Sequence, residues 1–190
     1  MNDVDAMNSP ADTGTDAGTD AGTDAGTGAD ADEPRWLNDD EQRTWLAYVQ
    51  ASMLLEDHLD RQLQRDAGMP HVYYGLLVKL SWAPRHSMRM TELAEAAKIT
   101  RSRLSHAISR MEKDGWVRRE DCPSDKRGQN AVLTEKGFGV LKETAPGHVH
   151  AVRSAIFDRL TAEQIAQFGD VCRIIADGLQ PEGADLPWLR

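Results

Sequence analysis

The sequence predicts a mainly α-helical protein that carries one small β-hairpin. Three observations support this fold class. Residues 91–115 show a short helical pattern, a turn and a second helix with one packed side and one polar side. Two short extended runs around a basic, turn-rich segment follow directly, over residues 116–134. Longer amphipathic patterns flank them on both sides, over residues 38–67 and 134–179.

The N-terminal segment differs from the rest of the chain in charge. The formal net charge of the 190 residues is -9. Residues 1–40 hold ten Asp, one Glu and only Arg35, a net charge of -10, whereas the remainder holds 21 Lys and Arg against 20 Asp and Glu. Residues 85–142 carry 13 basic and 8 acidic residues, a net charge of +5. The acidity therefore belongs to the N-terminal segment, and the middle of the chain is basic.

The segment also contains the repeat TDAGTDAGTDAGTG, which has almost nothing apolar to bury. Such a composition cannot offset the entropy of ordering, so residues 1–35 are predicted to be a disordered acidic tail. Two roles remain open for it. It competes with another polyanion for the basic middle of the chain or repels other polyanions, or it is a solubilising extension.

The first three helices are predicted from apolar spacing and from their ends. Apolar residues at positions 45, 46, 49, 53, 54, 59 and 63 indicate a long helix that starts after Asn38 and ends at the sequence GMP. A second helix is predicted from His71 to Trp82, before the sequence APRHS. A third, short helix is predicted to start near Thr91, whose hydroxyl would accept a backbone N–H.

The fourth helix has one apolar face and one hydrogen-bonding face. It is predicted to begin at Thr100 and to end at Gly115 in a left-handed conformation. At about 100° per residue, one arc of the helix carries its apolar residues, namely Leu104, Ala107, Ile108 and Met111. The polar residues Ser102, Ser105, His106 and Ser109 lie opposite, and arginines flank them on both sides at positions 101, 103 and 110.

The two C-terminal helices are predicted from apolar stripes. The first stripe consists of Leu141, Ala145, Val149, Val152 and Ile156, although Pro146 and Gly147 are expected to bend or interrupt that helix. The last stripe consists of Ile165, Phe168, Cys172, Ile175 and Leu179. Because a monomer of this size does not cover such stripes, we expect the first and last helices to pack against a second copy of the chain.

Several functional classes find no support in the sequence. The two cysteines, Cys122 and Cys172, share no metal-ligand spacing, and His148 and His150 point about 200° apart on a helix. Glycine-rich phosphate loops and the common hydrolase motifs are absent from the sequence. We therefore expect no enzyme, no cofactor and no metal site. The sequence also lacks an export signal and a membrane-length apolar stretch, so we expect a cytoplasmic protein.

Helix, turn, helix and basic hairpin is the order of a winged helix-turn-helix domain. The sequences TELAEAAKITRSRLSHAISRMEKDGWVRRE and DCPSDKRGQNAVLTEKG resemble the MarR (multiple antibiotic resistance regulator) family of transcription factors. That family's wing pattern is Asp-x-Arg followed by Leu-Thr-x-x-Gly, and it is met here by Asp125, Arg127, Leu133, Thr134 and Gly137.

The resemblance implies a domain organisation. The flanking helices fit the family's dimerisation layout, so residues 36–180 form a single domain in this interpretation. Within it, residues 36–67 and 138–180 supply the dimerisation helices, and residues 70–137 supply the winged helix-turn-helix. Residues 181–190 are a C-terminal extension.

The resemblance also implies a sequence-specific regulator of transcription. Such a protein is a homodimer that places one recognition helix per subunit in successive major grooves of a pseudo-palindromic operator in double-stranded DNA. We expect a repressor that a small aromatic or lipophilic ligand releases. The resemblance implies that eight residues face a groove or contact phosphates. They are Arg101, Ser102, Arg103, Ser105, His106 and Arg110 in the helix, and Lys126 and Arg127 in the wing. Asp125 is implied to position Arg127.

Two matters stay open at this level. The ligand would lie between the dimerisation helices and the DNA-binding part. Five residues either line its pocket or belong to the hydrophobic core, namely Trp45, His58, Tyr73, Tyr74 and Trp82. The chain is alternatively a ligand-independent activator, a constitutive DNA-binding protein, or a winged-helix module whose basic face docks an acidic protein.

Overall fold

The computed structural model describes residues 34–122 and 125–179, and of residues 125–127 the backbone alone. The C-terminal extension and the acidic tail, apart from Pro34 and Arg35, lie outside the described residues. The chain divides into two compact units, Met1–Met53 and Leu54–Arg190. The division falls inside the first helix.

Within the described residues, six α-helices and three β-strands follow one another, which confirms a mainly α-helical fold with a small hairpin. Short 3-10 turns at Pro84–His86 and Phe157–Arg159 connect some of them. In chain order the elements are α1 (Asp39–Ala67), α2 (His71–Trp82), β1 (Ser87–Arg89), α3 (Met90–Ala96), α4 (Arg101–Lys113), β2 (Val117–Cys122), β3 (Asp125–Leu133), α5 (Glu135–Ala155) and α6 (Ala162–Leu179).

Side chains satisfy the free backbone N–H groups at several helix starts. Before α1, the Asn38 side chain accepts from the N–H of Glu41 at 2.9 Å, and the Glu41 carboxylate accepts from the N–H of Asn38 at 2.9 Å. The Thr100 hydroxyl accepts from the N–H of Arg103 at 3.2 Å, so the predicted start of α4 is confirmed. The predicted stop is confirmed as well, since Gly115 has a φ of 76°.

The predicted cap at Thr91 is wrong. Helix α3 begins at Met90, and no side chain caps it. The reason lies in β1, a strand that the sequence analysis missed. Its three residues pair antiparallel with β3, for example Met88 with Ala131, and thereby keep the backbone extended up to the first residue of α3. Thr91 is consequently already inside the first turn.

The three strands form an antiparallel sheet in the order β1-β3-β2. Strands β2 and β3 make the predicted hairpin, with Val117 opposite Leu133 and Arg119 opposite Ala131. The hairpin is longer than the two extended runs in the sequence indicated, since β2 continues to Cys122 and β3 starts at Asp125.

One hydrophobic core joins most elements of the second unit, although no residue of α6 belongs to it. All four apolar residues predicted on the inner face of α4 belong to it, and Ile108 and Met111 are completely buried. The other contributions come from the end of α1, from α2, α3, β2 and β3, and from Leu141 of α5. The inner face of α4 is therefore fixed by apolar burial, the largest favourable term in folding.

Pro146 does not interrupt α5. The helix runs continuously through 21 residues, with Leu141 buried before the proline and Ala151 buried after it. A proline removes one backbone hydrogen bond, and packing on both sides holds the helix together across that gap. At Gly147, an added Cβ would lie 3.5 Å from the Gln62 amide nitrogen, an ordinary van der Waals distance, so α5 packs beside α1 here without a steric need for glycine.

The start of α5 is joined to the end of α4 by a compact set of contacts. The Thr134 hydroxyl lies 2.7 Å from the carbonyl oxygen of Gly115 and accepts from the N–H of Gly137 at 3.0 Å. The Lys136 ammonium donates to the carbonyl of Asp114 at 2.7 Å, where the helix dipole of α4 is negative. The residues Thr134 and Gly137 of the sequence motif thus have structural roles.

A second group of contacts joins α1, α2 and α5. The His148 ring lies 4.3 Å from the ring centroid of Tyr74 and 5.5 Å from that of His71. Its Nδ1 is 3.3 Å from Gln62 Oε1, while His71 Nδ1 is 2.9 Å from Glu56 Oε1. Burial, and secondly the charge of His71, lower the pKa of His148 from its ordinary value of 6.5.

Replacement of Gly137 by alanine is expected to destabilise the protein by about 3 kcal/mol. An added Cβ would lie 2.8 Å from Leu133 Cδ1 and still closer to the carbonyl oxygen of Trp116, so backbone would have to move. Gly139→Ala in the same helix is the control, because nothing lies within 4 Å of its added Cβ. Chemical denaturation should show a loss for Gly137→Ala and no loss for Gly139→Ala, and equal curves would contradict the close contact.

His148 is expected to make the protein less stable in acid. Its pKa is lowered on folding, so the unfolded chain binds a proton more readily, and stability falls as the pH drops through 6.5. Thermal unfolding between about pH 7.5 and pH 5.5 should show a smaller loss for His148→Gln than for the wild type. His150→Gln is the control, since His150 is exposed on the same helix. If both variants lose stability as the wild type does, the assignment to His148 is wrong.

Candidate nucleic-acid interface

The outward face of α4 carries the predicted helix residues on the surface. Burial of the apolar arc turns the opposite side of the helix to solvent. All six are exposed, namely Arg101, Ser102, Arg103, Ser105, His106 and Arg110. By helical geometry they divide between two edges of that face, with Arg101 and Ser105 on one edge, Arg103 and Arg110 on the other, and Ser102 and His106 between them.

The three arginines of this face are not neutralised within the described part of the chain. Neither an ion pair nor a side-chain hydrogen bond engages Arg101, Arg103 or Arg110 there. By contrast, Arg118 of β2 pairs with Glu120 at 2.7 Å. The guanidinium groups of α4 therefore keep their full positive charge and their donors for an external anion.

Strand β2 borders α4 along one edge of its outward face. Arg119 extends from β2 and donates from Nη2 to the carbonyl oxygen of Ser105 at 3.0 Å and to the Ser109 hydroxyl at 2.9 Å. Its backbone N–H donates to Glu112 Oε1 at 3.1 Å. Ser105, Ser109 and Glu112 are spaced four and three residues apart, so they form one edge of the helix.

A cleft opens between this edge and the hairpin. It has a volume of about 340 Å³. Its lining residues come from three places in the chain: Arg89, Met90 and Thr91 at the junction of β1 and α3, Arg101, Leu104 and Ser105 in α4, and Gly128 and Gln129 in β3. Arg89 and Arg101 contribute guanidinium groups to this basic cleft, and Met90 and Leu104 contribute apolar surface. Together with the outward face of α4, we call it the basic face.

The side chains of the predicted wing residues Asp125, Lys126 and Arg127 lie outside the described residues. Their backbone belongs to β3, in which Asp125 pairs with Cys122 of β2. Cys122 itself is buried, and the Arg89 guanidinium lies 3.2 Å from its sulfur through Nη2. The hairpin and the start of α3 are therefore in direct contact.

The five residues predicted for a ligand pocket do not share one environment. Tyr74 is a core residue that is 8% exposed, and Tyr73 packs on the core beside it. His58 and Trp82 are exposed, and Trp45 belongs to the first compact unit, where its ring is 5.9 Å from that of Tyr48. Neither the basic cleft nor the cleft described next contains any of the five.

A second cleft of about 290 Å³ lies between the end of α1 and α5, beside Trp116. Asp66 and Glu143 are among its lining residues, along with Gln62, Ala67, Val140, Thr144 and Gly147. Hydrogen bonds from Gln62 and Arg65 lower the pKa of the Asp66 carboxyl group. This cleft thus carries negative charge.

Two residues beside the outward face of α4, Arg119 and Glu112, were not predicted from the sequence. The helical wheel identified charged residues on α4, but it contains no information about which strand lies beside the helix. A signal was nevertheless present. Arg118 and Arg119 are adjacent on a strand, so their side chains point to opposite faces, and one of them has to face the domain.

None of the helices in the described residues combines the length and the apolar character that a membrane span requires. No three His, Cys, Asp or Glu side chains in this part of the chain lie close enough together to hold a metal ion.

Comparisons with known proteins agree with this geometry. A model of the MarR family matches residues 74–128. The chain is 71% identical to Sco3205, a MarR family transcriptional regulator from Streptomyces coelicolor whose crystal structure is in complex with DNA. The TM-score is 0.75, and the alignment covers 84% of this chain and 99% of that one. A second regulator of that family from the same organism, AbsC, is 41% identical, with a TM-score of 0.71 and coverage of 77% and 98%.

A more distant relative is the transcriptional repressor MprA of Escherichia coli strain K12. It is 29% identical over 103 residues, which make up 54% of this chain and 57% of MprA. The chain therefore spans little more than half the length of that repressor.

Proposed function

The chain belongs to the MarR family, and from that premise we propose that it is a sequence-specific DNA-binding transcriptional regulator that acts as a homodimeric repressor. The observation that carries the proposal is the basic face, in which three exposed guanidinium groups of α4 have no anionic partner among the described residues. The family consists of transcriptional regulators and not of enzymes, as the sequence analysis expected.

The chemistry of the basic face suits duplex DNA. Phosphate neutralisation by arginine supplies salt-sensitive affinity, and donors on a helix in the major groove distinguish the base pairs. Ser102 and His106 lie between the arginine-bearing edges and are the candidates for contacts with base edges, together with Arg103. Arg101 and Arg110 are assigned to phosphates or to the groove edge. Two relatives of the chain support this assignment: Sco3205 was crystallised in complex with DNA, and MprA is a transcriptional repressor.

The wing contributes a second contact in this proposal. Arg127, supported by the family resemblance alone, reaches into the flanking minor groove, with Lys126 beside it and Asp125 as its positioning partner. A guanidinium suits the narrow, electronegative minor groove of A/T-rich DNA. The short hairpin that ends β2 at Cys122 and starts β3 at Asp125 brings these residues to the end of the sheet.

Exposed apolar side chains support the homodimer. On α6 these are Phe168, Val171, Ile174, Ile175 and Leu179, the last 80% exposed. In the first unit, α1 exposes Trp45, Leu46, Tyr48 and Met53. Exposed apolar surface of this kind marks an interaction site, and a symmetric pair of subunits buries the same surface twice. A dimer also presents two copies of α4 to half-sites one helical turn apart.

Release by a small ligand completes the proposed mechanism. A ligand that changes the spacing of the two recognition helices removes their simultaneous fit to the operator. The second cleft is a candidate position, because it separates the end of α1 from α5. Its carboxylates, Asp66 and Glu143, would repel the negative charge of an aromatic acid. An uncharged lipophilic ligand or a cationic aromatic ligand therefore fits that position better.

The DNA-binding proposal predicts different effects for different arginines. Arg103→Ala, if it removes a base contact, should weaken operator binding by about 1–3 kcal/mol and relax selectivity. Arg101→Ala, if it removes a phosphate contact, should weaken binding to all sequences. It should also reduce the salt slope, the steepness with which the logarithm of the binding constant falls with the logarithm of salt concentration, by about 1. Fluorescence anisotropy over a salt series, with duplexes from the DNA around the coding region of the protein, measures both quantities.

Arg173→Ala on α6 is the matched control, since it removes one guanidinium far along the chain from the basic face. It should leave affinity and salt slope unchanged. Footprinting identifies the operator beforehand. If no palindrome is protected at physiological salt, the regulator proposal fails, and binding to an acidic protein becomes the better explanation of the basic face.

The dimer proposal predicts that a charge on the apolar stripe of α6 separates the subunits. Ile175→Asp should raise the dimer dissociation constant by at least about tenfold, because it leaves a carboxylate against apolar surface. Ala166→Asp introduces the same charge on the polar side of α6 and should have little effect. Sedimentation velocity measures the oligomeric state. A monomeric wild type, or equal effects of both substitutions, would contradict the assignment of this face.

A further inference from the structure

Arg119 combines a cationic side chain with a position between the wing and the recognition helix. Its side chain is 24% exposed, and its nitrogens face the protein. Nη2 donates to the Ser105 carbonyl and the Ser109 hydroxyl, while Nη1 lies 3.8 Å from Glu112 Oε2. Nε is buried and has no hydrogen-bond partner in the described part of the chain. Nε is thus closed to a phosphate, Nη2 is occupied by two hydrogen bonds, and Nη1 is paired with a carboxylate of α4.

The neighbouring Arg118 makes the contrast clear. It lies on the opposite face of β2, is exposed, and donates from Nε to Glu120 of its own strand at 2.7 Å. It makes no hydrogen bond to α4 among those of the described residues. Two adjacent arginines thus have different environments, and only Arg119 joins two elements of the domain.

We propose that Arg119 is a positioning residue for base recognition, which fixes the rotation of α4 about its own axis relative to the wing. The proposal rests on the proposed DNA-binding function and adds to it a residue that touches no DNA. Arg119 acts through the edge of α4 formed by Ser105, Ser109 and Glu112. The adjacent residues Ser102 and His106 then receive a defined direction toward the base edges.

The rotation of α4 needs such a contact because its inner face is held by apolar packing. Hydrophobic burial is non-directional, so it resists removal of the helix more than a small roll about its axis. Side-chain tips lie about 5–6 Å from the axis, and a roll of about 10° moves them by about 1 Å. The side chains of a binding site have to be held within about 0.5 Å of their productive positions. Directional hydrogen bonds at one edge supply the missing constraint.

Arginine is suited to this role in a way that lysine is not. The guanidinium is planar and offers several N–H donors in a fixed fork, whereas the lysine ammonium is a compact point charge on a flexible stem. One Nη2 atom bonds acceptors from two residues of α4 that are one turn apart, and the backbone N–H of Arg119 adds a bond to Glu112. Lysine keeps the charge but loses this geometry.

The test separates positioning from phosphate contact and from stability. Arg119→Lys, Ser109→Ala and the double variant are compared with the wild type in binding to the footprinted operator and to a scrambled duplex over a salt series. Arg118→Lys is the matched control on the same strand. Thermal unfolding of each variant identifies the temperature range in which all of them are folded.

We expect Arg119→Lys to lower the ratio of operator to scrambled affinity by about tenfold, comparable with the loss of one good base contact. The salt slope and the affinity for the scrambled duplex should stay unchanged. Ser109→Ala should lower the ratio in the same direction, and the double variant should be no worse than Arg119→Lys, because both residues act through one contact. Arg118→Lys should leave the ratio as it is.

Each contrary result has a separate meaning. A wild-type chain without selective DNA binding overturns the proposed function, and this inference with it. If the wild type is selective and Arg119→Lys keeps the ratio, the inference alone fails. A salt slope reduced by about 1 with equal losses on both duplexes makes Arg119 a phosphate contact instead. If Arg119→Lys does not fold, Ser109→Ala decides, and an unchanged ratio in that variant overturns the proposal.

Discussion

The close approach of α5 to the end of α4 is the constraint on which the arrangement of the second unit depends. At this point the chain leaves α4 through Gly115, enters β2, returns along β3 and starts α5 with Thr134. The Thr134 hydroxyl contacts the Gly115 carbonyl, and Gly137 has no room for a Cβ. Helix end, wing and following helix are therefore fixed relative to one another within a few residues. The Leu-Thr-x-x-Gly motif describes this packing, and DNA contact is left to other residues.

The same frame explains why neighbouring arginines act differently. Those on α4 project from a face whose reverse side is buried, so no protein carboxylate of the described residues reaches them. Arg119 projects from a strand that lies beside the helix, and its donors are taken up by Ser105 and Ser109. Position within the frame, and not residue type, divides the arginines into those available to an anion and those that hold the frame. A count of basic residues cannot make this distinction.

The elements with strong local signals could be predicted from the sequence. The apolar arc of α4 and the stops at Gly115 and Trp82 depend on neighbouring residues, and the structure agrees with all of them. Three features depend on distant partners and were missed or wrongly expected. Strand β1 exists because β3 pairs with it, the Thr91 cap fails because β1 extends to α3, and α5 continues through Pro146 because it packs on both sides. The contacts of Arg119 belong to the same class.

Because α5 is continuous, one unbroken helix joins the contacts near its start to the contacts around His148. His148, which contacts Gln62, lies eleven residues after Gly137, a distance of about 17 Å along a helix. One end is bonded to the last turn of α4, and the later part contacts α1 and α2 through His148. A helix broken at Pro146 would let these regions move independently. Because the helix is intact, packed elements connect the second cleft and His148 continuously, along α5, with the end of α4 beside the basic face.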